Sequence, residues 1–235
     1  VEEETIIEEV VEEKQVQIFK GNDRPIAIMI DNHSDAWPQA GLQKAYMVYE
    51  IVVEGGETRL MALFKGADVE KIGPVRSARH YFLDYAMEND AIYTHFGESP
   101  QADSDIRRYS IHEIDGIAED GTTFTRVKDK ASPHNAVTSI AKLKKSAENK
   151  KYRITSSEAS VLNLDDGQEA VAVTIPHSQK QIVKYEYDEQ NKVYKRLARG
   201  KQQTDWDTKE PVTTKNIIIT FCENYTLADK ENKGR

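Results

Sequence analysis

The 235-residue sequence has a single cysteine and no long apolar run. Because an internal disulfide needs two cysteines, the lone Cys222 excludes a disulfide framework, and it also excludes a zinc site built on several thiolates. No apolar stretch approaches the roughly 20 residues that cross a bilayer as a helix, so no membrane-spanning helix is predicted. The chain also lacks a basic excess, which argues against a broad nucleic-acid-binding surface.

The net charge of −8 is concentrated at the start of the chain. The first fourteen residues hold seven Glu and one Lys, which gives −6 and leaves −2 for the remaining 221 residues. This start has no signal-peptide character, and its isoleucines and valines lie near helical spacing. We predict an acidic tether or frayed helix over residues 1–20, with a partner-binding helix as the alternative.

Apolar runs separated by turn signals predict an α/β domain with a mixed sheet over residues 21–150, so that the whole chain is of the α+β class. The continuous apolar run at 25–30 is typical of a strand buried on both faces. Two further runs, at 45–53 and 58–64, flank a Gly-Gly pair, and this pattern favours a hairpin.

Two proline-containing motifs predict helix starts in this domain, because proline fits the first turn of a helix. Gly73-Pro74 precedes apolar residues at helical spacing, which predicts a helix over about 75–88. Ser99-Pro100 is typical of an N-cap followed by a helix. A third apolar stripe predicts a helix over 136–148.

After residue 160 the pattern changes to short strands, which predicts a smaller β-rich domain over 160–235. Strands are predicted at 170–175, 181–187, 192–198 and 216–221, the second and third joined by a hairpin loop. Because the last strand comes close to the end of the chain, we expect this domain to be incomplete at its C-terminal end.

Polar residues cluster where the predicted strands end. Asp31 and Asn32 follow the first strand, Glu54 begins the Gly-Gly turn, and Ser99 follows the strand that ends near His95. In open α/β sheets ligands bind beside the carboxyl ends of strands. We therefore predict a shared pocket, although polar loops without a ligand would give the same pattern.

The block Gly73 to Arg79 adds two guanidiniums to this picture. Arg76 and Arg79 fall in the first turn of the predicted helix, where free N–H groups favour an anion and two cations are disfavoured without one. Guanidiniums also suit phosphate or carboxylate geometry. The anion is either an external ligand or a carboxylate of the protein, and we predict that this helix start faces the pocket.

The predicted binding-pocket residues are Asp31, Asn32, Glu54, Arg59, Arg76, Arg79, His95, Ser99, His134 and Asn135. His95 and His134 would form a metal pair only with a carboxylate as third ligand, and no metal-binding spacing supports this, so no metal or cofactor is predicted. Ser99 lacks the setting of a nucleophilic serine. No complete catalytic motif is present, so catalytic residues and enzyme activity are left open.

Several blocks resemble, in order, the YerB-like bacterial lipoproteins, a family built on a domain of unknown function. The blocks are Arg24–Asn32, Pro38–Leu42, Val48–Glu50, Glu54–Arg59, Ile72–Arg79, His95–Gly97, Ser99-Pro100 and Ser132–Asn135, and Lys184–Glu223 resembles the family's second domain. The order of strand, loop and arginine segments is also similar in layout, but not residue for residue, to the LytR–CpsA–Psr envelope phosphotransferases.

The lipoprotein resemblance implies an extracytoplasmic protein on the outer face of a bacterial cell membrane. It would contact the membrane only through an N-terminal lipid anchor that these 235 residues lack, with the acidic start as a stalk. The expected function is a module that binds an envelope component or envelope protein, and no nucleic acid. The alternatives are an enzyme acting on phosphate-containing envelope precursors through an Arg-lined anion pocket, and a structural platform for partners.

Overall fold

The computed structural model describes residues 15–17, 21–156, 161–163 and 167–226. Within these ranges the α-helices are Leu83–Glu88 (α1), Pro100–Arg108 (α2) and Ile140–Asn149 (α3). The strands up to residue 137 are Gln15–Gln17 (β1), Ile26–Asp31 (β2), Met47–Val52 (β3), Thr58–Phe64 (β4), Ile92–His95 (β5), Glu113–Asp115 (β6), Thr125–Arg126 (β7) and Ala136–Val137 (β8). The later strands are Val161–Asn163 (β9), Ala172–Pro176 (β10), Ile182–Asp188 (β11), Val193–Ala198 (β12), Lys201–Gln202 (β13) and Thr213–Thr214 (β14).

A five-stranded mixed sheet, in the order β3-β4-β2-β5-β6, forms the centre of the N-terminal part. β2 pairs antiparallel with β4 and parallel with β5, and β3 and β4 form the predicted hairpin. Ile28 on β2 belongs to the core on one face of the sheet, and Met29 belongs to the core on the other face. The apolar run is uninterrupted because neither face of β2 meets water.

Helices pack on both faces of this sheet. α3 contributes Ile140 and Leu143 to one core, while α1 and α2 contribute Leu83 and Ile106 to the other. Each buried side chain of this kind stabilises the fold by about 1.5–3 kcal/mol. Helices as short as α1 and α2 are unstable alone in water, so it is this packing that holds them.

Residues 72–79, which we call the strap, are extended, so the predicted helix over 75–88 is wrong in its first part. The Val75 N–H donates to the Ala136 carbonyl (2.7 Å), and the Arg76 N–H donates to a carbonyl of β2 (2.9 Å). The strap therefore satisfies its backbone groups with neighbouring segments and not with its own next turn.

The apolar spacing that suggested a longer helix has a different origin. Val75 is buried in the core on one face of the sheet, and Ala78 in the core on the other, as expected of an extended segment. Helical structure begins with the 3-10 turn His80–Phe82 and continues as α1. The apolar spacing therefore predicted the helix correctly only for its second part, from residue 80 onward.

The two other predicted helices are present with small differences. α2 begins as predicted, since Ser99 Oγ accepts a hydrogen bond from the Ala102 N–H (3.2 Å). α3 begins later than residue 136, because residues 136–137 form β8 and Ser139 caps the helix. Pairing of β8 with β7 takes precedence over helix formation there.

A separate antiparallel sheet, in the order β10-β11-β12-β13 with β14 on β12, forms the C-terminal part. The predicted hairpin between β11 and β12 is present, and the Asp188 carboxylate closes its loop by accepting from the Gln190 and Asn191 N–H groups (both 3.1 Å). The α+β class predicted from the sequence is confirmed by this combination of a mixed sheet with helices and an antiparallel sheet.

The strand predicted at 216–221 does not form. Residues 216–226 contain no helix or strand, and Ile218 and Phe221 are exposed. A strand needs a neighbour for its backbone hydrogen bonds, and no strand within the described ranges pairs with this segment. At the other end of the chain, β1 pairs antiparallel with β9, and the rest of the predicted tether at 1–20 lies outside the described residues.

The two sheets contact each other through buried polar side chains. Arg196 on β12 forms an ion pair with Glu50 on β3 (2.7 Å). Nearby, Gln203 Nε2 donates to Gln39 Oε1 (2.8 Å). These contacts fix the second sheet beside the hairpin of the first sheet, and the loop of that hairpin forms part of the candidate site.

Candidate functional site

An open pocket of about 370 Å³ lies where β2 ends, beside the start of β4 and the strap. The register of the sheet pairs Asp31, the last residue of β2, with Arg59, the second residue of β4. The loop of the β3–β4 hairpin forms a further wall. The residues that line the pocket are Asp31, His33, Val53, Glu54, Glu57, Thr58, Arg59, Arg76, Arg79 and His134.

Arg59 is a buried cation of the pocket that forms no ion pair with a carboxylate of the described residues, although the charges of Asp31 and Glu54 act on it from further away. It is only 7% exposed, and its Nη1 donates to the Ser77 carbonyl (2.7 Å). Among the residues that the structure describes, no carboxylate oxygen lies within 4.0 Å of its guanidinium. Burial lowers the pKa of Arg59 to about 10, and the positive charge of Arg79 adds to this effect. An anion in the pocket would therefore stabilise this group most.

Arg79 differs from Arg59, because a carboxylate already neutralises it. Its Nε and Nη2 contact the two carboxylate oxygens of Glu54 at 2.6 and 3.1 Å, and its Nη1 donates to the Ala78 carbonyl (2.7 Å). Burial alone would raise the pKa of Glu54, but the hydrogen bond and charge of Arg79 outweigh it, so this pKa lies below its ordinary value. Arg79 and Glu54 therefore neutralise each other within the protein.

Arg76 is the more open of the strap guanidiniums. Its Nε lies 3.3 Å from Asp31 Oδ2, and 29% of its side chain is exposed. Asp31 itself is nearly buried, and it also accepts a hydrogen bond from the His33 N–H (3.0 Å). Because Asp31 shares its charge among several donors, Arg76 retains donor capacity toward a ligand.

The second sheet supplies a fourth guanidinium beside the pocket. Arg199 forms an ion pair with Glu57, and its Nη2 also donates to the Asn32 carbonyl (3.1 Å). In the same loop, the Gly55 carbonyl accepts from Lys180 Nζ (3.1 Å). Arg199 lies outside the pocket lining. Counted together with the lining residues, it makes four guanidiniums against three carboxylates, an excess of one positive charge when the histidines are neutral.

Two histidines stand at one side of the pocket. The rings of His33 and His134 stack with centroids 4.7 Å apart and planes 15° apart. His134 Nδ1 lies 2.8 Å from Asp31 Oδ2. The His33 Nδ1 accepts a hydrogen bond from the Asp35 N–H (3.2 Å), which caps the 3-10 turn Ser34–Ala36. Both rings therefore have fixed positions.

Six of the ten residues in the predicted set line this pocket, namely Asp31, Glu54, Arg59, Arg76, Arg79 and His134. The strap thus brings Arg76 and Arg79 to the acidic residues in extended form, although the helix start expected there is absent. Ligand binding by these residues stays a prediction.

Asn32 and Asn135 have structural contacts outside the pocket lining. Asn32 is buried, its Nδ2 donates to Thr58 Oγ1 (2.8 Å), and its Oδ1 accepts from Gln39 Nε2 (2.9 Å). Asn135 Oδ1 accepts from Arg126 Nη1 (3.0 Å). Both amides hold the loops around the pocket.

His95 also lies outside the pocket lining, in a separate acidic cluster, while Ser99 caps α2. Both ring nitrogens of the fully buried His95 are engaged, Nδ1 with the Gly97 carbonyl (3.0 Å) and Nε2 with Glu113 (2.8 Å). Burial and the charge of Asp115 raise the pKa of the neighbouring Glu98. The metal pair considered between the two histidines is not formed, since His134 stacks on His33 instead.

Other lining residues were outside the predicted set. His33 directly follows Asp31-Asn32, and Glu57 and Thr58 close the Gly-Gly turn, so their positions carried the same signal as the chosen residues. Arg199 carried no such signal, because only the packing of the second sheet brings it to the pocket.

Family models match both parts of the chain. "Protein of unknown function (DUF3048) N-terminal domain" matches residues 12–153, and the DUF3048 C-terminal domain matches residues 171–235. The chain belongs to the DUF3048 family. This confirms the resemblance to YerB-like proteins, and the described DUF3048 residues include no helix long and apolar enough to cross a membrane.

One relative of this DUF3048 chain is named "Putative lipoprotein YerB", from Bacillus subtilis (strain 168). The two are 34% identical over 211 residues, which cover 87% of this chain and 64% of the relative, so the chain spans less than two thirds of the relative's length. The crystal structure of the YerB protein from Bacillus subtilis matches with a TM-score of 0.75 and 35% identity, over 82% of this chain and 67% of that one.

Proposed function

We propose that this protein is an extracytoplasmic envelope lipoprotein whose pocket binds a phosphate-bearing component of the cell envelope. The name of its Bacillus relative supports the lipoprotein part of this proposal. The observation that carries the binding part is Arg59, a buried guanidinium without a carboxylate partner among the described residues. The pocket is open to solvent, so a ligand can reach this charge.

Phosphate suits this pocket better than a neutral ligand. Phosphate oxygens accept several charge-assisted hydrogen bonds from guanidiniums, which are stronger than bonds between neutral groups. Arg59 and the half-open Arg76 both line the pocket, and the net excess of one positive charge favours an anion. Arg79 contributes its positive charge more than it contributes hydrogen-bond donors, since Glu54 already contacts its guanidinium.

Calorimetric titration of the protein with pyrophosphate tests the proposal. Arg59→Met should weaken binding about 10–100-fold, because a hydrogen bond to a charged group contributes about 1.5–3 kcal/mol. The variant should keep its thermal stability, since it removes a buried charge that lacks a partner. Arg107→Gln, at an exposed arginine on α2, is the matched control and should bind as the wild type does. Equal affinity of Arg59→Met and wild type, or no binding by the wild type, would contradict the proposal.

The second candidate function is an enzyme acting on phosphate-containing envelope precursors. It is favoured by the convergence of Arg59, Arg76 and Arg79 with three carboxylates in one open pocket. Guanidiniums placed in this way stabilise charge that develops during phosphoryl transfer. The test is the release of inorganic phosphate from an isoprenoid pyrophosphate. Release that is lost in Arg76→Gln but kept in Arg107→Gln would support catalysis. Binding without turnover would favour the binding module.

A further inference from the structure

The sequence DNHSD at residues 31–35 places three possible metal-ligating side chains within one short loop. His33 caps the 3-10 turn Ser34–Ala36, and this turn brings Asp35 back toward it, with 3.7 Å between His33 Nδ1 and Asp35 Oδ2. His134, about a hundred residues further on, stacks on His33. One ligand atom from each of His33, Asp35 and His134 lies within 4.8 Å of the other two.

The hydrogen bond between His134 and Asp31 is independent evidence for this grouping. A carboxylate accepts, so His134 Nδ1, at 2.8 Å from Asp31 Oδ2, is the donor of this contact, and Nε2 is the ring nitrogen left to face a metal ion. Histidines that bind metals commonly donate their other ring N–H to a carboxylate in this way, which fixes the ring and its tautomer. Asp31 is in turn held by Arg76 and by the His33 N–H, so the orienting group is itself fixed.

The stacking keeps the two imidazole rings side by side, with centroids 4.7 Å apart and planes 15° apart. The site is open on one side, because the side chains of His33 and Asp35 are 40% and 66% exposed. The exposed carboxylate of Asp35 can adjust its position toward the two rings to complete a set of three zinc ligands.

We propose that His33, Asp35 and His134 form a site for a divalent transition metal, for which zinc is the best match. Two imidazoles and one carboxylate are typical ligands of zinc sites that keep a fourth position open, whereas magnesium and calcium prefer oxygen ligands alone. Because His33 and His134 line the arginine pocket, an open position on the metal would accept water or an anion oxygen there. The proposal goes beyond the anion site, because the metal is bound by a different set of side chains.

Zinc titration of the protein, without any anion ligand, tests this site. The exposed Cys222 is first replaced by serine, so that its thiol does not bind zinc. We expect one zinc per chain, with binding at least tenfold weaker in His33→Ala and in His134→Ala. Asp31→Asn should weaken zinc binding about 10–100-fold, because loss of an orienting carboxylate has effects of this size.

His80→Gln, at a histidine outside the pocket lining, is the matched control and should bind zinc as the parent protein does. His33→Ala changes an exposed side chain and should fold normally, as thermal unfolding will check. Anomalous scattering from a zinc-soaked crystal should locate the ion at the edges of the two rings, within bonding distance of a nitrogen of each ring and of the Asp35 carboxylate. Absence of 1:1 binding below about 100 μM zinc, or unchanged binding in both histidine variants, would overturn the proposal. These outcomes do not depend on Arg59, so the zinc and pyrophosphate titrations can fail separately.

Discussion

Replacing Arg196 with methionine should destabilise the protein by leaving a buried carboxylate without its partner. Arg196 on β12 contacts Glu50 on β3 at 2.7 Å, and the two side chains are only 7% and 10% exposed. Burial alone would raise the pKa of Glu50, but the charges of Arg196 and His177 and the hydrogen bonds from Arg196 and Thr58 outweigh burial and hold this pKa below its ordinary value. Without Arg196 the effect of burial dominates.

The expected size of the loss follows from this geometry. Removing one partner of a buried ion pair costs about 3–5 kcal/mol. In a protein of this size, 1 kcal/mol shifts the unfolding midpoint by about 2–4 °C, so Arg196→Met should lower it by roughly 6–20 °C at pH 7.5. The double variant Arg196→Met with Glu50→Gln should recover most of the loss, because no unpaired charge then remains.

The pH dependence has a definite sign. In the wild type the depressed pKa of Glu50 stabilises the fold above the ordinary carboxyl pKa, and this contribution is lost as the pH falls through the folded-state value. In Arg196→Met the pKa of Glu50 is raised, so protonation relieves the buried charge as the pH falls. The difference between variant and wild type should therefore shrink from pH 7.5 to pH 5.

Differential scanning calorimetry at the two pH values measures both effects. Arg107→Gln, which removes an exposed ion pair with Asp103, should change the stability by less than about 1 kcal/mol. If Arg196→Met loses no more than this control, or if its deficit is the same at both pH values, the reasoning about the buried carboxylate is refuted.

Two further substitutions test the backbone and the second acidic cluster. Gly41→Ala should lower the free energy of unfolding, measured by urea denaturation, by about 2–3 kcal/mol, and Gly55→Ala should lower it by about 1 kcal/mol. Both glycines have positive φ, but only at Gly41 would the new Cβ lie 2.8 Å from a backbone carbonyl oxygen. Equal losses in the two variants would contradict this. Glu98→Gln should raise the free energy of unfolding slightly at pH 7.5, by less than about 1 kcal/mol, and should not raise it at pH 4. Burial and a neighbouring aspartate raise the pKa of Glu98, so its ionisation costs stability above that pKa. An increase at pH 4 would exclude this cause.

The central strands could be predicted because their signals are local. The run Ile26–Ile30 is apolar without interruption, and the Gly-Gly pair after Glu54 permits the turn of the hairpin. Polar residues at the ends of these strands meet because the sheet aligns them, which is why Asp31 and Arg59 could be assigned to one pocket.

The strap could not be predicted from the same kind of signal. Val75 and Ala78 have helical spacing. However, the Val75 N–H donates to Ala136 of β8, while the backbone groups of Ala78 bond to Gly97 and Ser99 after β5, and a single sequence does not record such tertiary hydrogen bonds. The stacking of His33 on His134 is equally non-local, since a hundred residues separate them. The local sequence pattern therefore predicted which charged residues lie close together. It did not predict the backbone conformation that places them there, which depends on tertiary contacts.

The loop Glu54–Glu57 is held from two directions. Glu54 is bound by Arg79 of the strap, while the Gly55 carbonyl and the Glu57 carboxylate are bound by Lys180 and Arg199 of the second sheet. A fragment that ended before β10 would keep the three arginines that line the pocket, Arg59, Arg76 and Arg79, and lose the two cations of the second sheet that bind the loop Glu54–Glu57. The shape of the pocket therefore belongs to the two sheets jointly, so an exchange of the second sheet between relatives would also alter ligand selection.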